Sequence, residues 1–301
     1  MPDQRPVTFG VKTSQNRSSY EDILAVWREA DANPLFEHAW LWDHMVPLRG
    51  DIRGAALEAW TLLAALAAQT TRLRLGVIVT SNRLRPPAVL AKMAATVDQV
   101  SGGRLVFGIG AGGSRVPDPT GLQMVTREFE AYGIEIVSPG QAVAALGEAC
   151  TLIRRLWAED EQFDFEGRHY RLKGAICEPK PVQRPGPPVL IGASGDRALR
   201  VVARHADVWN CPTNELDAFR ARSAALDAAC AEIGRDPSEI VRSVQLLVAR
   251  DDAAGVRRRL VDLIQAGCTH LVLAPVPPLP SSPVAWLAEE IVEPVRAEAA
   301  A

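Results

Sequence analysis

Short apolar runs, bounded by polar or glycine residues, alternate with longer stretches of helical periodicity along the whole chain. Val7–Val11, Ala39–Trp42, Leu73–Val79, Leu105–Ile109, Val189–Ile191, Ala206–Trp209, Val241–Ala249 and Leu271–Ala274 read as strands. Between and after them the spacing predicts helices over Tyr20–Asp31, Ala55–Gln69, Gln141–Trp157, Arg197–His205, Glu215–Ile233, Ala253–Ala266 and Pro283–Ala297. A further helix opens at Pro86-Pro87, where proline suits a first turn. Gly267 suits the C-cap of the helix before it. Strands that alternate with helices imply βαβ units and a parallel sheet. Eight such units close most naturally into a (β/α)₈ barrel, an architecture of about 250 residues. The pattern shows no paired halves, which disfavours an open doubly wound sheet.

The chain is therefore read as one domain over residues 1–301, with its excess length between the fourth and fifth strands at about 111–187. That insertion combines a Gly/Pro-rich loop, a helix and a hairpin-like segment around Glu166-Gly167, with strands near 162–165 and 168–172. Barrel insertions gather at the active-site rim, so it is a candidate lid. The rest of the composition narrows the class. A net charge of −3 offers no electrostatic case for nucleic acid or an anionic membrane. The five cysteines form no CxxC pair and read as reduced thiols, and no His or Cys pair has metal-ligand spacing. Met1–Pro6 lacks the apolar core of a signal peptide, and the uncharged stretch Ala59–Thr71 is too short to span a bilayer. A cytoplasmic protein is expected.

In a barrel the chemistry lies just past the C-terminal ends of the strands. Trp42-Asp43-His44 follows the second strand, where a histidine beside an aspartate serves as a general base or as a plain loop pair. Gly108-Ile109-Gly110-Ala111-Gly112-Gly113 follows the fourth and is formally GxGxxG. A dinucleotide fold needs that motif on its first strand with a helix opening at once, and Pro117 and Pro119 oppose such a helix. The glycines are read instead as admitting a flat ring close to the backbone. Gly192-Ala193-Ser194-Gly195 follows the fifth strand and leads into a helix, offering free N–H groups to an anion, with a simple Ser194 N-cap as the plainer reading. Arg83 and Arg85, after the third strand, are either cations for an anionic ligand or solvated loop residues.

Taken together these motifs resemble luciferase-like proteins, most closely the subgroup that depends on the deazaflavin coenzyme F420. The resemblance rests on Asp43-His44, on Leu75-Gly76 with Arg85-Pro86-Pro87-Ala88-Val89-Leu90-Ala91-Lys92, on Ser101-Gly102-Gly103-Arg104, and on Gly108-Ile109-Gly110-Ala111-Gly112. Phe165-Glu166-Gly167-Arg168-His169-Tyr170, Lys180-Pro181-Val182-Gln183 and Pro188-Val189-Leu190-Ile191-Gly192 extend it. The resemblance implies that Asp43 and His44 lie beside the reactive ring. It implies that Ile78 and Val79 form a non-prolyl cis bulge backing that ring, with Gly110, Ala111 and Gly112 alongside. Ala193, Ser194 and Gly195 would hold the cofactor phosphate.

Relative to F420-dependent glucose-6-phosphate dehydrogenases, Leu48 stands in place of a tryptophan and Gly113 in place of a glutamate, which sets this chain apart from sugar-phosphate enzymes. The implied activity is hydride transfer between F420 and a small organic substrate, in a homodimer. The alternatives are an FMN-dependent monooxygenase on the same fold and a flavin-binding protein without turnover.

Overall fold

The computed structural model describes residues 5–47, 51–112 and 119–299. In chain order its strands are β1 (Thr8–Lys12), β2 (His38–Leu41), β3 (Arg74–Val77), β4 (Thr80–Ser81), β5 (Leu105–Gly110), β6 (Phe163–Glu166), β7 (Arg171–Ala175), β8 (Val189–Gly192), β9 (Val208–Cys211), β10 (Val241–Val248) and β11 (His270–Pro275). All but β6 and β7 join one parallel sheet in the order β3-β2-β1-β11-β10-β9-β8-β5-β4, and β3 also pairs with β5, so the sheet closes. With β3 and β4 as two pieces of one strand, this is the eight-stranded barrel expected from the pattern.

Period-two alternation divides each strand between two cores. Phe9 and Val11, Leu105, Phe107 and Ile109, and Val244 and Leu246 face the surrounding helices in the large outer core. Trp40, Ile78, Val106, Leu190, Val208 and Val272 fill the barrel itself. Because both faces are buried, the strands read as nearly continuous apolar runs. At the closed N-terminal end, His38 and His270 stack at 3.9 Å between ring centroids. A Cβ at Gly10 would stand 1.7 Å from His38 Nδ1, so only glycine fits there.

The helices are α1 (Tyr20–Ala32), α2 (Ala59–Ala67), α3 (Pro87–Ser101), α4 (Pro119–Ala131), α5 (Pro139–Ala158), α6 (Asp196–His205), α7 (Leu216–Ala231), α8 (Ala253–Gln265), α9 (Pro283–Leu287) and α10 (Glu293–Ala299). Local chemistry sets their ends. Ser19 and Asp22 form a capping box on α1, Ser138 and Gln141 another on α5, and Pro87 opens α3 with Gly102 closing it in the left-handed region.

Several expectations are corrected. The helix expected from Ala55 starts at Ala59, because Glu58 caps it by accepting from Trp60 N and Thr61 N, and Ala56 instead bridges Asn16. The last helix is interrupted by a π turn at Ala288–Val292. The sixth barrel strand runs two residues later than expected, Ala206 being the C-cap of α6. In the insertion, the second hairpin strand is Arg171–Ala175, and an unexpected helix, α4, precedes α5. Leu48 and Gly113 lie outside the described residues. Among those described, no helix is long and apolar enough to cross a membrane, and no cluster of His, Cys, Asp or Glu could hold a metal ion. The five cysteines are free and buried.

Candidate active site

The C-terminal ends of the strands surround a cavity of about 870 Å³. Its lining includes Asp43, His44, Ile78, Val79, Gly110, Ala111, Gly112, Ala193, Ser194 and Gly195, but neither Arg83 nor Arg85. Lys12, Trp42, Asn210 and Gln245 complete the floor and near wall, and Val125 and Val143 add an apolar side from α4 and α5.

The third barrel strand, expected to be continuous over Leu73–Val79, breaks where the Ile78–Val79 peptide is cis, as the resemblance implies. Neighbouring elements hold this bulge from three sides. Ile78 N donates to Leu41 O at 2.8 Å, Trp60 Nε1 of α2 donates to Thr80 Oγ1 at 3.1 Å, and Ser81 N donates to Asp43 Oδ2 at 3.0 Å. The glycines of β5 serve this packing: a Cβ at Gly110 would stand 2.8 Å from Val79 Cγ2. Gly112, at φ +89°, would drive a Cβ to 2.3 Å from Arg83 Cγ. What the glycine run admits is therefore the chain's own Val79 and the segment that follows it.

Asp43 is nearly sealed from solvent. Arg85 donates to it through Nη1 at 2.8 Å and Nη2 at 3.0 Å and also contacts Glu58. Burial pushes the Asp43 carboxyl up, and the hydrogen bonds and charge of Arg85 oppose that push. With three contacts already made, Asp43 positions the bulge and the loop carrying His44. Arg85 is likewise no free cation and no solvated loop residue, since its side chain is only 9% exposed.

His44 differs. Its Nδ1 lies 2.9 Å from Glu128 Oε2, and Glu128 Oε1 accepts from Met45 N at 2.5 Å. Glu128 is 1% exposed and His44 26%. A carboxylate can only accept, so Nδ1 carries the hydrogen and Nε2 is left as the proton-accepting nitrogen. The Trp42 indole packs edge-on against the His44 ring at 5.2 Å. Glu128 escaped the sequence reading, because α4 was read as loop.

Across the mouth, the N-cap of α6 is Gly195 rather than Ser194, and it makes no side-chain capping bond. Leu199 N is the first amide of this helix bonded within it, to Gly195 O, which leaves the amides of Asp196, Arg197 and Ala198 at the open end. A Cβ on Gly195 would meet nothing within 4 Å. The open helix end and the small-residue strand ends fit a flat ring system with a phosphate, the phosphate at α6 and the ring against Ile78 and Val79.

Comparison with known proteins bears on this geometry. The family model described as luciferase-like monooxygenase matches residues 6–285. A phthiodiolone/phenolphthiodiolone dimycocerosates ketoreductase of Mycobacterium sp. (strain JLS) is 34% identical over 210 residues, covering 66% of this chain and 50% of that protein. The chain thus spans about half the length of the curated relatives it matches. The fold is similar to that of an F420-dependent secondary alcohol dehydrogenase in complex with an F420–acetone adduct, with TM-score 0.80, 18% identity and coverage of 97% and 99% of the two chains. It is also similar to an EDTA monooxygenase from Chelativorans sp. BNC1, with TM-score 0.76, 14% identity and coverage of 98% and 94%.

Proposed function

Because the chain belongs to the luciferase-like monooxygenase family, we propose that it is an F420-dependent oxidoreductase that transfers hydride between the deazaflavin and a small organic carbonyl or alcohol. The observation that carries this reading is the His44–Glu128 pair at the mouth of a cavity whose opposite side is a small-residue cradle with an open helix end. The ketoreductase relative and the F420-bound alcohol dehydrogenase neighbour support the same chemistry.

The amides opening α6, with Ala193, Ser194 and Gly195, would hold the cofactor phosphate, and Ile78, Val79 and Gly110 would back the ring. A deazaflavin bound there would supply the hydride acceptor or donor for the substrate carbon. His44 does the proton work. With Nδ1–H held by Glu128, Nε2 takes the hydroxyl proton of an alcohol as its carbonyl forms, and the imidazolium returns that proton in the reverse direction. Glu128 stabilises the imidazolium and fixes the tautomer. Asp43 and Arg85 keep the bulge and the His44 loop in register. A cytoplasmic homodimer completes the reading, with sedimentation velocity as the check on its oligomeric state.

A monooxygenase acting with reduced FMN is the second reading, favoured by the likeness to the EDTA monooxygenase. Oxygen separates the two. A panel of ketones should reoxidise reduced F420 in the presence of the enzyme under anaerobic conditions. Reoxidation that requires oxygen, or that occurs only with reduced FMN, would overturn the proposal.

A further inference from the structure

Lys12 ends β1 on the inner face of the barrel and lines the cavity, yet the mechanism above leaves it without a task. Its Nζ donates to Gln245 Oε1 at 2.7 Å and lies 6.0 Å from the centroid of the Trp42 ring. No carboxylate pairs with it among the described residues. An ammonium has three N–H donors, so Gln245 satisfies only one.

The arrangement below Lys12 is polarised through the barrel core. Because an ammonium only donates, Gln245 must turn its carbonyl oxygen to Lys12. Gln245 Nε2 then donates to Asn210 Oδ1 at 2.8 Å, and Asn210 Nδ2 donates to Ser243 Oγ at 3.0 Å. The Ser243 hydroxyl is left to donate to His270 Nδ1, 2.8 Å away. That requires a neutral His270, and burial does lower its imidazole to about 4. Four inner-face residues on three strands thus present a carbonyl oxygen to one cation and nothing else. The same burial lowers the Lys12 ammonium to about 8, which leaves it mostly charged at neutral pH.

The charged groups that share the cavity do not neutralise it. Asp43 is engaged by Arg85, His44 by Glu128, and Asp196 by Arg222, while Arg197 stands on α6. The groups packed on Lys12 itself, Gln245 from β10 and Trp42 after β2, are uncharged. In the barrel order β1 lies opposite β8, so Lys12 stands on the far side of the barrel from the strand that leads into the Ser194–Gly195 loop. A partly desolvated cation with unused donors in a ligand cavity selects an anion.

We propose that Lys12 is the substrate-recognition cation of this site, and that the compound oxidised or reduced carries a carboxylate which pairs with its ammonium. The substrate class rests on the hydride-transfer reading; the anion site at Lys12 stands without it. His44 and Lys12 flank the Trp42 indole, so the reacting oxygen is served by the first and the acid group by the second.

The chain contains four lysines, Lys12, Lys92, Lys173 and Lys180, so protein labelled with ¹³C-lysine gives a resolvable titration of each, with Lys12→Met assigning its signal. Hexanoate should raise the Lys12 midpoint by about one pH unit, the shift an opposite charge at contact distance produces, and hexanamide should not. Gln245→Glu, which keeps the volume and supplies a fixed carboxylate, should raise the midpoint by itself and abolish the hexanoate response. A Lys12 midpoint indifferent to hexanoate, or equally sensitive to hexanamide, overturns the proposal. So does a midpoint moved by F420 alone and then unresponsive to hexanoate, which would assign the cation to the cofactor. Failure of F420 to bind, with the hexanoate response intact, would defeat the hydride-transfer reading and leave the anion site standing.

Discussion

Replacing Gly195 with alanine separates the stability of the cradle from its proposed task. The residue has φ −79° and ψ 147°, a conformation any amino acid adopts, and an added Cβ meets nothing within 4 Å. Restricting the unfolded chain at such a site stabilises by about 0.4–1 kcal/mol. Alanine is a poorer N-cap than glycine by a similar amount, so the two effects roughly cancel. Unfolding entropy near 2.1 cal/mol/K per residue means that a residual ~0.5 kcal/mol moves Tm by about 1 °C or less. Binding should respond very differently. A hydrogen bond from a backbone amide to a charged group contributes about 1.5–3 kcal/mol, and the helix dipole adds about 0.3–1 kcal/mol. A methyl group standing in the phosphate's space should forfeit about half of that sum. The expected loss is about 0.9–2.0 kcal/mol, a Kd for F420 raised roughly 5- to 30-fold. Fluorescence titration of both proteins, beside their melting curves, measures it. An affinity within about threefold of wild type at unchanged Tm would place the phosphate elsewhere, since that ratio is worth well under 1 kcal/mol.

Three further outcomes follow from the packing. Glu128→Gln should keep the Met45 N–H satisfied but turn an amide N–H toward His44 Nδ1, moving the ring hydrogen to Nε2 and removing the base; alcohol oxidation should fall by about 10²–10⁴ with F420 affinity intact, and an unchanged kcat would remove the pair from the mechanism. Burial lowers His270 to about 4 from its ordinary 6.5 and lowers His38 as well, so between those two pH values the unfolded chain binds protons that the barrel does not. Stability should therefore be complete above pH 6.5 and fall toward pH 4, by about 3 kcal/mol for His270 alone, and a Tm that is flat across that window would contradict it. Gly10→Ala should overpack the barrel floor against His38 and cost about 3 kcal/mol, or roughly 5 °C in Tm for a chain of this size; differential scanning fluorimetry showing no change would refute the packing argument.

The barrel was legible because both faces of each strand are buried, so every strand is an apolar run whichever side it presents. The break in the third strand was not visible in the alternation, since Ile78 and Val79 are as β-branched and apolar as their neighbours. Only the family resemblance pointed to it. Lys12 directly follows the expected end of the first strand at Val11, but a single lysine there carries no local sign of Gln245, the partner 233 residues away that the fold brings to it. The polar file behind it was written in β10, where Ser243 and Gln245 alternate with Val244 and Leu246, but which polar residue on β9 or β11 meets them depends on register. Glu128 and Arg85 were out of reach for a different reason. Their roles come from partners 84 and 42 residues away, His44 and Asp43, and no local pattern records such pairings. Arg85 in particular sits in a proline-flanked polar loop that looks solvated until the fold brings Asp43 and Glu58 to it.

The identity of the cofactor is the claim on which the rest depends. Titration of the protein with F420 and, separately, with FMN, followed by fluorescence and calorimetry, tests it most directly. F420 should bind with Kd at or below the micromolar range, near −8 kcal/mol, with negligible binding of FMN. Tight FMN binding with F420 left free in solution would contradict it.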